Sequence, residues 1–189
     1  MKRKSYAHFA LIGLFLLFAH LHLAAQNEQP VVAYITIQGV TQGQFKGNVT
    51  VKERQGQIEC IGFSYGVTAP TDKSSGLTTG KRQHSPIVIV KRVDAATPQL
   101  LQAAYSNEQL KSVTIEFTRK GPDGRPATFQ TIQLTNASVT KVNQFAGTVS
   151  PDKLVPNSLP LEEIDLTFEK IDVSDTDAKT HAGDSWGRP

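Results

Sequence analysis

Beyond residue 25, the side chains with the chemistry of a catalyst or metal site are few: Cys60, His84, His181 and the acidic run Glu162, Glu163 and Asp165. The two histidines stand far apart and lack the short local spacing that metal sites draw on. Cys60 and His84 could pair as thiol and imidazole, but neither a third orienting group nor a nucleophile turn accompanies them. Cys60 sits in the strand-like run IECIGFSYGV at 58–67 and reads as a small buried hydrophobe. A single cysteine also gives no internal disulfide. Glycosidase action needs two carboxylates held at a fixed separation across a cleft. Glu162, Glu163 and Asp165 read more simply as the lead-in and solvated side of a strand. Gly80-Lys81 ends like a phosphate loop but lacks the upstream glycine spacing and the following Ser or Thr. A binding or structural protein is expected, with no enzyme activity, cofactor or metal.

The elements that would position these groups centre on 80–101, GKRQHSPIVIVKRVDAATPQLL. The β-branched run 87–90 fits a packed, pleated surface, so 86–93 is read as a strand. Thr97 can cap a helix, and Pro98 fits its first turn, where a missing N–H costs nothing. Leu100, Leu101, Ala104 and Tyr105 fall at three-to-four spacing and predict one apolar helix face.

Everything around this block reads as strand: 31–38, 49–51, 58–67, 113–118, 128–134, 137–142 and 161–173. The glycines of 58–67 leave one face nearly bare, which suggests a bulge or close approach by another layer. Phe129 and Ile132 do not share parity, so a bulge or a register change falls between them or one faces solvent. Gly121-Pro122-Asp123-Gly124 predicts a hairpin turn. The stretch 68–83 is polar and without period, and 148–160 is a second polar connection with three prolines. The sum is a mainly β domain with one short helix, a small barrel or a two-layer sandwich.

The N-terminus has a separate signature. Lys2, Arg3 and Lys4 precede an apolar stretch at 9–19, and Leu23-Ala24-Ala25 offers a small-residue cleavage site. That is the pattern of a secretory signal peptide, cut before Gln26. The chain carries 20 basic and 17 acidic residues; the leader holds three of the basic ones and none of the acidic, which leaves 17 of each sign. A neutral mature chain gives no argument for nucleic acid. The expected layout is a signal peptide at 1–25, a β domain at 26–173 and a polar tail at 174–189. Cleavage leaves no stable membrane span.

In order and spacing, VVAYITIQGV (31–40), IECIGFSYGV (58–67), GKRQHSPIVIVKRVDAATPQLLQAAYSNEQL (80–110), VTIEFTRKGPDG (113–124), FQTIQLTNASVTKV (129–142) and LPLEEIDLTFEKI (159–171) resemble the Hcp family, the tube protein of bacterial type VI secretion systems. The resemblance implies a compact two-sheet β-barrel with one short flanking α-helix. It implies homo-hexameric rings that stack into a tube, inside a sheath and below a spike, with a lumen for small effector proteins. It makes 68–83 an assembly loop, with Thr68, Asp72, Lys73, Lys81, Arg82 and His84 as its contacts. It places Thr97, Pro98, Gln99 and Gln102 on a helix at the inner side of the ring. The family has no catalytic set to carry over. A cleaved leader would put the protein in the periplasm or outside; without cleavage it would be cytoplasmic before type VI export. The alternative is an exported Hcp-like binding module without tube function.

Overall fold

The computed structural model describes residues 32–121, 124–146 and 160–186. The leader at 1–25 and nearly all of the proline-bearing connection lie outside the described residues. In chain order come β1 (Ala33–Gly39), a single 3-10 turn (Lys52–Arg54), β2 (Ile58–Cys60), β3 (Gly62–Ser64), β4 (Val67–Thr68), β5 (Gln83–His84) and β6 (Ile87–Arg92). Then follow α1 (Thr97–Ser106), β7 (Gln109–Lys120), β8 (Pro126–Phe145), β9 (Leu161–Thr167), β10 (Lys170–Asp175) and β11 (Thr180–Ser185). Nine strands form one sheet in the order β2-β1-β7-β8-β9-β6-β3, with β10 on β8 and β11 on β10; β4 and β5 form a separate two-stranded sheet.

The expected closed barrel is not what the chain builds. The large sheet is open, running from β2 at one end to β3 at the other. These two ends are consecutive in the chain, separated only by Ile61. β2 pairs with β1 through 58–60, whereas β3 pairs with β6 through 62–64, and no residue of either strand is paired on both sides. Closure would need a segment laddered on both edges at the same positions. Here the chain changes neighbour at Ile61, whose N–H bonds Val90 O at 2.9 Å. Gly62, opposite Val90, makes this approach possible: a Cβ there would stand 3.1 Å from Val90 Cβ.

Alternation decides what faces inward. Ile87 and Ile89 of β6, Ile164 and Leu166 of β9, and Ile35 and Ile37 of β1 are all buried. Leu100 of α1 joins them in one core. The void lined by Ile35, Ile37, Ile89, Leu100, Ile164 and Leu166 is only about 10 Å³, too small for a ligand. β8 is a single 20-residue strand that merges two predicted ones. It pairs with β7 along one edge and with β10 and β9 along the other. The parity break at Phe129 is a bulge: Phe117 pairs with Gln130 and Thr118 with Thr128, leaving Phe129 unopposed.

Three local expectations change. Residues 49–51 are not a strand; Val49 exchanges bonds with Gly56 and Gln57, then the chain enters the 3-10 turn. The helix face is Thr97, Leu100 and Ala103, while Tyr105 is 74% exposed. The last strand breaks at Phe168, and much of the polar tail forms β11 against β10.

Candidate functional site: the root of an exposed ribbon

β4 and β5 begin and end a ribbon that projects from the body, with almost every residue from 67 to 83 exposed. It has more order than its composition suggests. Thr71 bridges Thr78, the Asp72 N–H bonds Leu77 O at 2.8 Å, and Thr79 N–H bonds Pro70 O at 2.7 Å. At the tip, Asp72 Oδ1 accepts from the N–H groups of Ser74 and Ser75 and from the Ser75 hydroxyl. These bonds hold the Asp72 carboxyl below its ordinary range. Val67 and Leu77 add apolar side chains to the exposed surface.

The ribbon's root is a polar cluster built from four separate chain segments. His84 Nδ1 lies 2.6 Å from the Tyr65 hydroxyl, and Nε2 lies 2.9 Å from Asp184 Oδ2. An ionised carboxylate only accepts, so Nε2 carries a proton; in the neutral ring Nδ1 then accepts from Tyr65. Arg82 donates from both Nε and Nη2 to the two Asp184 oxygens. Arg82, then His84 and the Ser185 N–H, hold the Asp184 carboxyl far below the ordinary range. Phe168 and Trp186 meet the imidazole edge-on, with ring centroids at 5.6 and 5.3 Å.

A tyrosine–histidine–aspartate chain has the outline of a proton relay, but its chemistry runs the other way. Burial and the Asp184 charge push the Tyr65 phenol up, so it keeps its proton. Nor does Cys60 join in. It is fully buried, its Sγ donates to Gly62 O at 3.0 Å, and burial pushes its thiol up to about 11. A thiol so disposed is inert. Among the described residues, no cluster of three or more His, Cys, Asp or Glu could hold a metal ion.

Thr68, Asp72, Lys73 and Lys81 therefore lie on the exposed ribbon, whereas Arg82 and His84 are engaged at its root. The proposed helix contacts also divide. Pro98 and Gln102 are exposed. Gln99 holds a turn, its backbone oxygen accepting from Gln42 Nε2 and its Oε1 from the Lys46 N–H. Thr97 is buried; its hydroxyl accepts from the Asp94 N–H and donates to Glu162 Oε1 at 2.8 Å. The N-cap is Ala96, one residue before Thr97, and it makes no side-chain cap bond; Asp94 Oδ1 accepts the Ala96 N–H at 2.9 Å.

Glu162, read from the sequence as part of a solvated lead-in, is completely buried. Lys91 Nζ donates to Glu162 Oε1 at 2.6 Å, to Asp94 Oδ1 at 2.7 Å and to Arg92 O at 2.7 Å. Gln144 Nε2 donates to Glu162 Oε2 at 3.1 Å. The helix start is thus tied to β6 and β9 by a polar network with every member paired. Parity carried the signal: Lys91 follows Ile87 and Ile89, and Glu162 precedes Ile164 and Leu166. Asp184 and Trp186, within the predicted tail, had no comparable signal.

Among the described residues the fold is a mainly β sheet with one helix, a small ribbon and two paired polar clusters. The family model for "Type VI secretion system effector, Hcp" matches residues 34–174, and this chain belongs to the Hcp family. It is 30% identical over 166 residues to the major exported protein of Pseudomonas aeruginosa, covering 83% of this chain and 96% of that protein. The structure of a mutant form of Hcp1 from the E. coli EAEC 042 pathovar superposes with a TM-score of 0.70 at 27% identity, over 83% of this chain and 99% of that one. The secreted protein Hcp3 from Pseudomonas aeruginosa gives 0.65 at 26% identity, over 82% and 99%.

Proposed function

We propose that this chain is a ring-forming, non-catalytic tube component of a type VI secretion system, assembled as a homo-hexamer. The family match across 34–174 carries this reading. The ribbon supports it, since a structured projection with exposed Thr68, Asp72, Lys73, Lys81 and Leu77 suits contact between subunits. Pro98 and Gln102 on the exposed side of α1 are proposed to face the lumen. Sheath, spike and small effector proteins are the partners this reading assigns. Light scattering and electron microscopy on the native protein test it: closed rings are expected, and a monomer at high concentration without rings would contradict it.

The leader-like pattern at 1–25 favours a second reading, an exported Hcp-like binding module. Relatives described as exported and secreted fit either route. Among the described residues no helix is long and apolar enough to cross a membrane. We propose cleavage before Gln26. N-terminal mass analysis of the protein from separated cell fractions decides: an N-terminus at Gln26 outside the cytoplasm supports export, and an intact Met1 in the cytoplasm removes it.

A further inference from the structure

We propose that the C-terminal hairpin β10–β11 is a strap that fixes the angle of the exposed ribbon, with Asp184 as the positioning residue. Its value to assembly rests on the proposed tube function; the strap itself does not.

The ribbon needs such a device because its own backbone does not supply one. β4 and β5 pair only with each other, and neither is laddered to the nine-stranded sheet. The Ser85 N–H goes to Gly66 O, again within the ribbon's root. Two strands joined only to each other can swing about their base unless side chains hold them.

Those side chains come from β11 and its flanks. Asp184 takes both Arg82 nitrogens and His84 Nε2, one residue group on each side of Gln83. The carboxylate is itself fixed by the Ser185 N–H at 2.7 Å. Trp186 packs edge-on against the His84 ring, and its backbone is tied down by Trp186 N–H to Glu169 O at 3.0 Å. β11 in turn is held along its length by β10, from Lys170↔Ser185 to Asp175↔Thr180, and β10 by β8. Asp172 lies opposite Gly183 in the ladder and carries its Oδ1 over the bare backbone, 2.7 Å from where a Cβ would stand. A continuous ladder therefore runs from the core to Asp184, whose carboxylate takes the charged hydrogen bonds of Arg82 and His84 beside the ring contacts of Phe168 and Trp186 with His84.

Hydrogen–deuterium exchange on the full chain tests the link. Asp184→Ala is expected to raise amide exchange in 71–85 by about tenfold, because charged hydrogen bonds at a local hinge set its opening. Exchange in β1 and β7 is expected to stay at the wild-type level. Asp184→Asn, which keeps an acceptor oxygen, is expected to restore part of the protection. Trp186 is the single tryptophan, so its fluorescence anisotropy reports the same contact, and it is expected to fall in Asp184→Ala. If Asp184→Ala does not fold, Arg82→Ala carries the test, since Arg82 is nearly half exposed. Unchanged ribbon exchange in a folded variant overturns the strap. Ring formation measured on the same samples separates the two readings: a loosened ribbon with undiminished rings supports the strap but removes the ribbon from assembly.

Discussion

Two polar clusters stand near opposite ends of β6 and use the same chemistry in opposite settings. Before the strand, Arg82 and Asp184 pair with side chains 45% and 17% exposed. At its far end, Lys91 and Glu162 pair with side chains 2% and 0% exposed. The buried cluster joins secondary elements of the body, α1 to β6 and β9; the root cluster joins the body to a projection. Burial decides the consequence of losing a partner. An ion abandoned in the core has no water to replace its pair, whereas one at the root is partly hydrated.

Glu162→Ala should break the comparison most strongly. It leaves the Lys91 ammonium buried without its main partner and should cost about 3–5 kcal/mol in urea unfolding. Replacing both partners, Lys91→Met with Glu162→Leu, should recover most of that loss. Cys60 extends the contrast without a further stability measurement. With its thiol buried and pushed up to about 11, it should resist a thiol reagent at pH 8 in the wild type and in Asp184→Ala. It should label faster in Glu162→Ala, where the body itself opens. Labelling in Asp184→Ala at the same raised rate would mean that the root cluster also supports the core.

An intermediate case sharpens the scale. Burial pushes the Glu108 carboxyl up, but the Gln42 N–H and amide and the Thr41 N–H outweigh it and hold the carboxyl below its ordinary range. Its stabilising effect is therefore present above the unfolded value of about 4.3 and lost as pH falls through the folded value. Glu108→Ala should cost about 1.5–3 kcal/mol at pH 7, and the difference from wild type should shrink in acid. Arg119→Ala should have the smallest effect. Arg119 and Asp177 pair with side chains 63% and 53% exposed, and the loss should not exceed about 1 kcal/mol by urea unfolding.

The strands were legible because burial alternates. Ile87 and Ile89, Ile164 and Leu166, and Val113 and Ile115 each announced a face that the structure buries. The same parity contained Lys91 and Glu162, but the charge of Glu162 pointed it toward solvent. The open sheet was not legible: the glycines of IECIGFSYGV predict a bulge or a close approach, which Gly62 makes, but a close approach does not tell a closed sheet from one whose chain changes neighbours at Ile61. The root cluster was hidden for another reason. His84 and Asp184 are a hundred residues apart, and a tail of small and polar residues has no periodicity to place β11 beside the ribbon.

The handover at Ile61 has a mechanical side. Because the two ends of the large sheet are consecutive stretches of one backbone, spreading those ends apart loads covalent bonds instead of unzipping a ladder. A pull on β1 reaches β6 through a single intervening residue, so the seam works as a tie-rod between the two ends of the sheet, with the Ile61 N–H bond to Val90 O beside it.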